Sequence, residues 1–150
     1  MSKKRKSIPA SATSGQNSTK QIKDSGVNPT SFDKMPISWQ FQLIDHEGPW
    51  GWSNHQPDAI WEVIHDRLGK KEDHNWNDLK RSGSHNVELH KLIKTARDRL
   101  KEIKQNDLDS LFSLRLSGTQ RIWGIRDRCF LKVLWFDPNH EVCPSKKKHT

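Results

Sequence analysis

The fold is decided by the sequence Leu-Arg-Leu-Ser-Gly-Thr-Gln-Arg-Ile-Trp-Gly-Ile-Arg at residues 114–126, followed by Leu-Lys-Val-Leu-Trp-Phe-Asp-Pro-Asn-His at residues 131–140. Apolar and polar residues alternate in the first stretch, which predicts two antiparallel strands with arginines opposite the aliphatic residues or at the edges of that face. These aliphatic residues are Leu114, Leu116, Ile122 and Ile125. The second stretch is nearly all apolar and predicts a central strand that ends at His140.

The rest of the apolar pattern predicts one more strand and two helices. Residues 37–44 alternate as a first strand, Pro57 begins a helix that ends near Gly69, and a longer helix runs through about residues 89–104. Trp76 and Leu79 belong to a short turn or helix, and residues 81–85 form a polar connector. The element order predicts an α+β fold, with two helices packed on one face of a four-stranded, mainly antiparallel sheet. The other face is then the candidate working surface.

Composition divides the chain into two parts. Residues 1–35 have little apolar surface and predict a disordered basic tail, whereas residues 36–150 predict one domain with a short Lys-rich C-terminal extension. The tail has seven Lys or Arg residues against Asp24 and Asp33, so it supplies about +5 of the net charge of +8. Its residues 3–6, Lys-Lys-Arg-Lys, are typical of a nuclear import signal, a nucleic-acid-binding arm or a solubilising terminus.

Apolar runs and cysteines set the expected environment. No run reaches the roughly 18 residues of a membrane span, and no apolar segment follows the basic start, so we expect a cytoplasmic protein with no membrane partner. Cys129 and Cys143 should then be reduced, with Cys129 in the core. The spacing of His140, Cys143 and His149 matches no standard zinc site, so no metal or other cofactor is expected.

The tryptophans within predicted strands are expected in the core. Trp123 and Trp135 lie among aliphatic residues, which favours burial over stacking on bases. Trp50 and Trp52 lie in a loop and either cap the core, the favoured interpretation, or stack on bases. The chain has no phosphate-binding glycine loop, dinucleotide glycine pattern or Ser-His-Asp signature, which disfavours nucleotide-dependent and acyl-transfer enzymes.

The pattern Arg115-Leu116-Ser117-x-x-x-Arg121-Ile122, with His140 after the last strand, resembles the RelE/YoeB superfamily of bacterial toxins. The resemblance covers residues 37–141 by element order and about 30 residues by motif. It implies a RelE-like, metal-independent endoribonuclease that cleaves messenger RNA by attack of a ribose 2′-hydroxyl. An arginine equivalent to Arg121 would contact the scissile phosphate and His140 would be the general acid. It also implies two partners: RNA, free or bound to the ribosome, and a small antitoxin protein.

Residues 107–149 also look like a group of bacterial proteins of unassigned activity with an Arg-Ile-Trp-Gly-Ile-Arg core and an Asp-Pro-x-His ending. The candidate site residues follow from these resemblances and from charge. The catalytic candidates are Arg121, His140 and Arg115, and the RNA-binding candidates are Arg126, Lys132, Lys80 and Arg81. Asp107, Asp109 and Glu47 are candidates for a general base, with Lys80 and His85 as weaker ones. The chain contains no tyrosine, so a mechanism with a terminal tyrosine is excluded.

The same residues also have a purely structural interpretation. Arg115 and Arg121 would then be surface residues paired with Asp109 or Asp127, and His140 would cap the Asp-Pro turn. The protein would be a non-catalytic nucleic-acid-binding or protein-interaction module on the same fold. The sequence therefore leaves open whether the protein is an enzyme.

Overall fold

The computed structural model describes residues 30–145, and its main folded unit begins at Asp33. The strands are β1 (Ser38–Gln40), β2 (His85–Glu88), β3 (Ser110–Ser117), β4 (Gln120–Asp127) and β5 (Phe130–Asp137). The helices are α1 (Thr30–Asp33), α2 (Pro57–Trp61), which continues as a π-helix (Glu62–Leu68), α3 (Trp76–Arg81) and α4 (Lys94–Glu102). The predicted α+β class is confirmed.

One mixed sheet organises the molecule. Its strand order is β1-β5-β4-β3-β2, with β1 parallel to β5 and the other pairs antiparallel. Tight turns join β3 to β4 and β4 to β5. Gly118 has a φ of 50° in the first turn and Arg128 a φ of 59° in the second, the left-handed geometry that matches the twist of paired strands.

Helices cover both faces of the sheet, so the prediction of one open face is wrong. On one face α2, the π-helix and α3 pack on strand residues that include Phe112, Leu114 and Ile122. On the other face α4 packs on a second group that includes Leu111, Trp123 and Trp135. Successive side chains of a strand point to opposite faces of the sheet, and these strands have apolar residues at both sets of positions. Each face therefore needs a helical layer to bury it. Arg115 and Arg121 lie on the α4 face, opposite Leu114 and Ile122 as predicted.

Three element predictions are also corrected. The sheet has five strands because residues 85–88, which were not predicted as a strand and begin at the last residue of the predicted connector, pair with β3 as an edge strand. The predicted helix over residues 89–104 shortens to Lys94–Glu102, because Leu89–Lys91 forms a 3-10 turn and Leu92 is extended. The first strand shortens from residues 37–44 to Ser38–Gln40.

Both predicted termini lie mostly outside the described residues. Residues 1–29 of the predicted tail and residues 146–150 of the Lys-rich end are not described. Of the predicted tail, Thr30–Asp33 is a short helix, and the Asp33 carboxylate accepts a hydrogen bond from Arg126. In the described range, no helix combines the length and the apolar composition needed to cross a membrane.

The loop before α2 belongs to the core. Trp50 and Trp52 are each only 4% exposed, and Trp123 and Trp135 are fully buried, so the core interpretation of all four is confirmed. The Asp45 carboxylate anchors this loop: Arg99 donates to its two oxygens at 2.7 and 2.9 Å, and Trp135 Nε1 donates at 2.8 Å. Cys129 departs from prediction, because it lies half-buried in the β4–β5 turn; both cysteines are free thiols.

Candidate functional site

An open pocket of about 210 Å³ lies on the α4 face of the sheet, beside the group of residues that packs on α4. It is smaller than the sites that enclose drug-sized ligands, and its volume suits a phosphate group with part of a nucleotide. Its walls come from β2, β3, β4 and the segment after β5. The side chains that carry its chemistry are His85, Ser113, Arg121, Trp123, His140 and Cys143.

Strand register explains why these side chains meet. His85 pairs with Ser113, and Ser113 pairs with Trp123, so all three share one face of the sheet. Arg121 lies two residues from Trp123 on the same strand and therefore on the same face. Two strand spacings of about 4.8 Å separate the backbones of β2 and β4, and Arg121 lies two residues, about 7 Å, along β4 from the position level with His85. The backbones of His85 and Arg121 are therefore about 12 Å apart across the sheet.

Arg115 and Arg121 lie directly opposite each other on β3 and β4. Arg121 Nη1 donates to the carbonyl oxygens of Gly118 at 2.7 Å and Gln120 at 3.1 Å. Within residues 30–145, neither guanidinium has a carboxylate partner, and Nε and Nη2 of Arg121 make no hydrogen bond. The predicted alternative of pairing with aspartates is wrong, since Asp127 pairs instead with Arg128 and Lys132, both at 3.2 Å.

The segment before β2 supports Arg115. Ser84 is buried, and its hydroxyl accepts a hydrogen bond from the Arg115 backbone N–H at 2.9 Å. Gly83 has a φ of 104°, and a Cβ there would lie 3.1 Å from Arg115 Cδ. A side chain at position 83 would therefore strain the backbone and crowd the arginine.

Asp137 is fully buried and holds the pocket's last wall in place. Its carboxylate accepts hydrogen bonds from Trp123 Nε1 at 3.1 Å and from the backbone N–H groups of Glu141 at 2.8 Å and Val142 at 3.0 Å. The turn is thus capped by Asp137, and the interpretation of His140 as its cap is wrong. His140 sits inside this turn with a φ of 56°, a conformation that non-glycine residues adopt at a cost.

The electrostatic environment of the pocket is positive. Burial, followed by the charges of Arg121 and His85, lowers the pKa of His140 below its usual value, although Asp137 acts in the opposite direction. Burial and the charge of Arg115 also lower the pKa of Arg121, with Asp137 again opposing. An arginine remains protonated at any physiological pH, so the consequence is a neutral His140 beside a cationic Arg121 at pH 7.

Ser113 is a further polar group in the pocket wall. It is only 2% exposed, and its hydroxyl has no hydrogen-bond partner within the described part of the chain. Buried hydroxyl groups are normally paired, because an unpaired one loses its hydration without compensation. A ligand in the pocket would supply the missing partner.

The structure separates the candidate RNA-binding residues from the catalytic candidates. Arg126 lies over the Trp76 ring, 4.3 Å from its centroid, on the opposite face. Lys132 lines a small depression with Gln40, Gln42 and Leu43, near the start of β5. Lys80 is exposed near the end of α3, and Arg81 there pairs with Asp78.

None of the carboxylates considered as a general base, Asp107, Asp109 or Glu47, lines the pocket. His85, ranked below them on sequence, does line it. A short alternation of His85 and Val87 was the sequence signal, but four residues are too few to distinguish an edge strand from a connector. No three His, Cys, Asp or Glu side chains among residues 30–145 converge as metal ligands, and His149 lies beyond that range.

Comparison with known proteins gives no match, whether with protein-family models, curated proteins or solved structures.

Proposed function

We propose that this protein is a metal-independent endoribonuclease of the RelE/YoeB type, which cleaves messenger RNA at the pocket lined by Arg121 and His140, with Arg115 beside it on the neighbouring strand. The single observation that carries the proposal is the arginine pair without carboxylate partners, adjoining a pocket that also holds two imidazoles. Guanidinium groups bind phosphate through several N–H donors at once. Free Nε and Nη2 atoms on Arg121 are suited to that role.

The two unpaired arginines destabilise the folded protein, and this cost supports a role in anion binding. Like charges directly opposite on neighbouring strands destabilise a sheet by roughly 0.2–1 kcal/mol. The left-handed backbone of His140 and the unpaired Ser113 hydroxyl add further cost at the same place. Unfavourable features that gather in one pocket are typical of a site whose ligand relieves them.

The chemistry follows from the charges. During attack by the 2′-hydroxyl, negative charge grows on the non-bridging phosphate oxygens, and fixed guanidinium donors stabilise that charge. His140 has no hydrogen-bond partner on either ring nitrogen within the described residues, so its imidazole is free to transfer a proton. Neither step requires a metal ion.

The biological setting is part of the same proposal. A toxin that cleaves messenger RNA acts in the cytoplasm, on RNA that is free or held by the ribosome. A small antitoxin protein would neutralise it by covering the positive pocket, for which acidic side chains are suited. A neighbouring reading frame that encodes a small protein with a DNA-binding pattern would support this setting.

The proposal is tested with purified protein and a single-stranded RNA, free and bound to ribosomes, in the presence of EDTA. We expect products with 2′,3′-cyclic phosphate and 5′-hydroxyl ends. Arg121→Ala should lower the rate by about 10²–10³ and His140→Ala by about 10²–10⁴. Arg67→Ala, on the π-helix that packs on the opposite face, is the matched control and should cleave normally.

The absence of cleavage under both conditions would overturn the ribonuclease proposal. Salt-dependent RNA binding without cleavage would then favour the non-catalytic nucleic-acid-binding module, because the same arginines would bind the backbone. Loss of both binding and cleavage would favour a protein-interaction module.

A further inference from the structure

A second imidazole shares the pocket with His140. His85 projects from the edge strand β2, whereas His140 follows β5, and these two strands lie on opposite sides of β4. Arg121, the proposed phosphate ligand, stands on β4 between them. In-line displacement at phosphorus places the attacking and leaving oxygens on opposite sides of the phosphate. A phosphate held by Arg121 therefore has one imidazole available on each side.

We propose that the two histidines divide the proton transfers of the reaction, with His140 as general base and His85 as general acid. This inference rests on the ribonuclease function proposed above. His140 takes the proton of the 2′-hydroxyl as the O2′–P bond forms. His85 gives a proton to the 5′-oxygen as the P–O5′ bond breaks. The products are a 2′,3′-cyclic phosphate and a 5′-hydroxyl, and solvent exchange restores both imidazoles.

The environment of His140 suits the base. Among residues 30–145, the charged groups that act on it are Arg121 from β4, Asp137 from the end of β5 and His85 from β2. Burial and the charge of Arg121 outweigh the attraction of Asp137 and keep the pKa of His140 below its usual value. Asp137 is also committed to Trp123 and to two backbone N–H groups. A neutral imidazole with free ring nitrogens is a proton acceptor.

The contacts of His85 suit the acid. Its Nδ1 lies 3.4 Å from the carbonyl oxygen of Gly83, which only accepts hydrogen bonds and therefore favours a proton on Nδ1. Nε2 is then the nitrogen that exchanges its proton with the substrate. The side chain is exposed, so water can return the lost proton after each turnover. The Cys143 thiol, which also lines the pocket, donates to the Lys91 carbonyl oxygen at 3.4 Å.

A substrate with an altered leaving group tests the division of roles. The probe is a DNA strand with one ribonucleotide, made with either an ordinary 5′-oxygen or a 5′-bridging sulfur at the scissile linkage. A thiolate leaves without protonation, so the sulfur substrate needs no general acid. Wild type, His85→Ala, His140→Ala and the control His90→Ala are compared on the free strand and on the strand bound to ribosomes. His90 is exposed, contacts Glu88 and lies outside the pocket.

We expect His85→Ala to lose about 10²–10⁴ in rate on the oxygen substrate and to approach the wild-type rate on the sulfur substrate. His140→Ala should be slow on both, and His90→Ala should match wild type on both. Circular dichroism and the rescued rate itself show that His85→Ala is folded. A His85→Ala protein as active as wild type on the oxygen substrate, or equally slow on both, would overturn the inference alone. Rescue of His140→Ala instead would reverse the assigned roles and also overturn it. A wild type that cleaves neither substrate would overturn the ribonuclease function as well.

Discussion

Arg115 and Arg121 face each other across two neighbouring strands, and neither has a carboxylate partner in the part of the chain that the structure describes. Inorganic phosphate or pyrophosphate should therefore raise the melting temperature. A ligand at ten times its Kd adds about 1.4 kcal/mol to the free energy of unfolding. Arg121→Gln should abolish this response while leaving the anion-free protein equally or more stable, because a like-charge contact is removed.

Differential scanning fluorimetry with increasing phosphate at constant ionic strength measures this effect. Arg67→Gln, in which a half-buried arginine on the opposite face is replaced, should keep the full phosphate response. An undiminished response in Arg121→Gln would place the bound anion elsewhere.

His140 combines a proposed catalytic role with a left-handed backbone. A glycine at this position should therefore relieve backbone strain while it removes the catalytic imidazole. His140→Gly should increase the free energy of unfolding relative to His140→Ala by about 1 kcal/mol, because both remove the ring but only glycine relieves the strain. Urea unfolding of the two variants measures the difference. Equal stabilities would show that the φ of 56° carries little strain. Both variants should cleave RNA about 10²–10⁴ more slowly than the wild type.

The buried Asp137 carboxylate should be sensitive to neutral replacement. Asp137→Asn retains the shape but has a single acceptor oxygen for three N–H donors, so at least one donor loses its partner. We expect a loss of about 2–3 kcal/mol in the free energy of unfolding. Chemical denaturation measures this loss, and hydrogen exchange at the Glu141 and Val142 amides locates it. Unchanged protection at both amides would contradict the proposed cap.

The Asp45–Arg99 pair should contribute strongly to stability. Arg99→Ala would leave Asp45, whose carboxyl is 3% exposed, without its bidentate partner, at a cost of about 3 kcal/mol. Lys94→Ala on the same helix breaks an exposed pair with Asp98 and should barely change the melting temperature. Similar shifts for the two variants would mean that burial does not strengthen the Asp45 contact.

Stability should fall as the pH is lowered from about 7.5 to 5. Burial lowers the pKa of His55, and burial with the charge of Arg121 lowers that of His140, so both bind protons more readily when the chain is unfolded. The contribution of these two histidines to the free energy of unfolding is therefore complete above about pH 6.5. It decreases as the pH falls through their lowered pKa values in the folded protein. Asp45 and Asp127 do not contribute to this pH dependence. Although burial raises their pKa, hydrogen bonds and nearby cations hold it below the usual value, so both carboxylates stay ionised between pH 5 and 7.5.

Urea unfolding at several pH values measures this slope. The double variant His55→Gln/His140→Gln should have a flatter slope between pH 5 and 7.5 than the wild type. An identical slope in both proteins would assign the pH dependence to other groups.

Local pattern was sufficient where elements are long and self-contained. Alternation and turn residues predict the strands Ser110–Ser117 and Gln120–Asp127, and a nearly continuous apolar run predicts Phe130–Asp137. Alternation also places Arg115 and Arg121 on one face. The hydrophobic pattern did not predict elements whose structure depends on pairing with a distant part of the chain. His85–Glu88 is a strand only because it pairs with the edge of β3. Without that pairing, nothing in the sequence places His85 in the same pocket as Arg121. The commitment of Asp137 to a buried cap was likewise invisible in the sequence, since it depends on an indole that lies across the sheet.

Trp123 gives the pocket an optical reporter of its own. Its indole forms part of the pocket wall and donates to Asp137, so an anion bound nearby alters the electric field at this ring. The chain has seven tryptophans, and Trp61 is 64% exposed, which makes it the main source of water-sensitive emission. A Trp61→Phe variant would reduce that background, and occupancy of the pocket could then be followed by fluorescence without any added label.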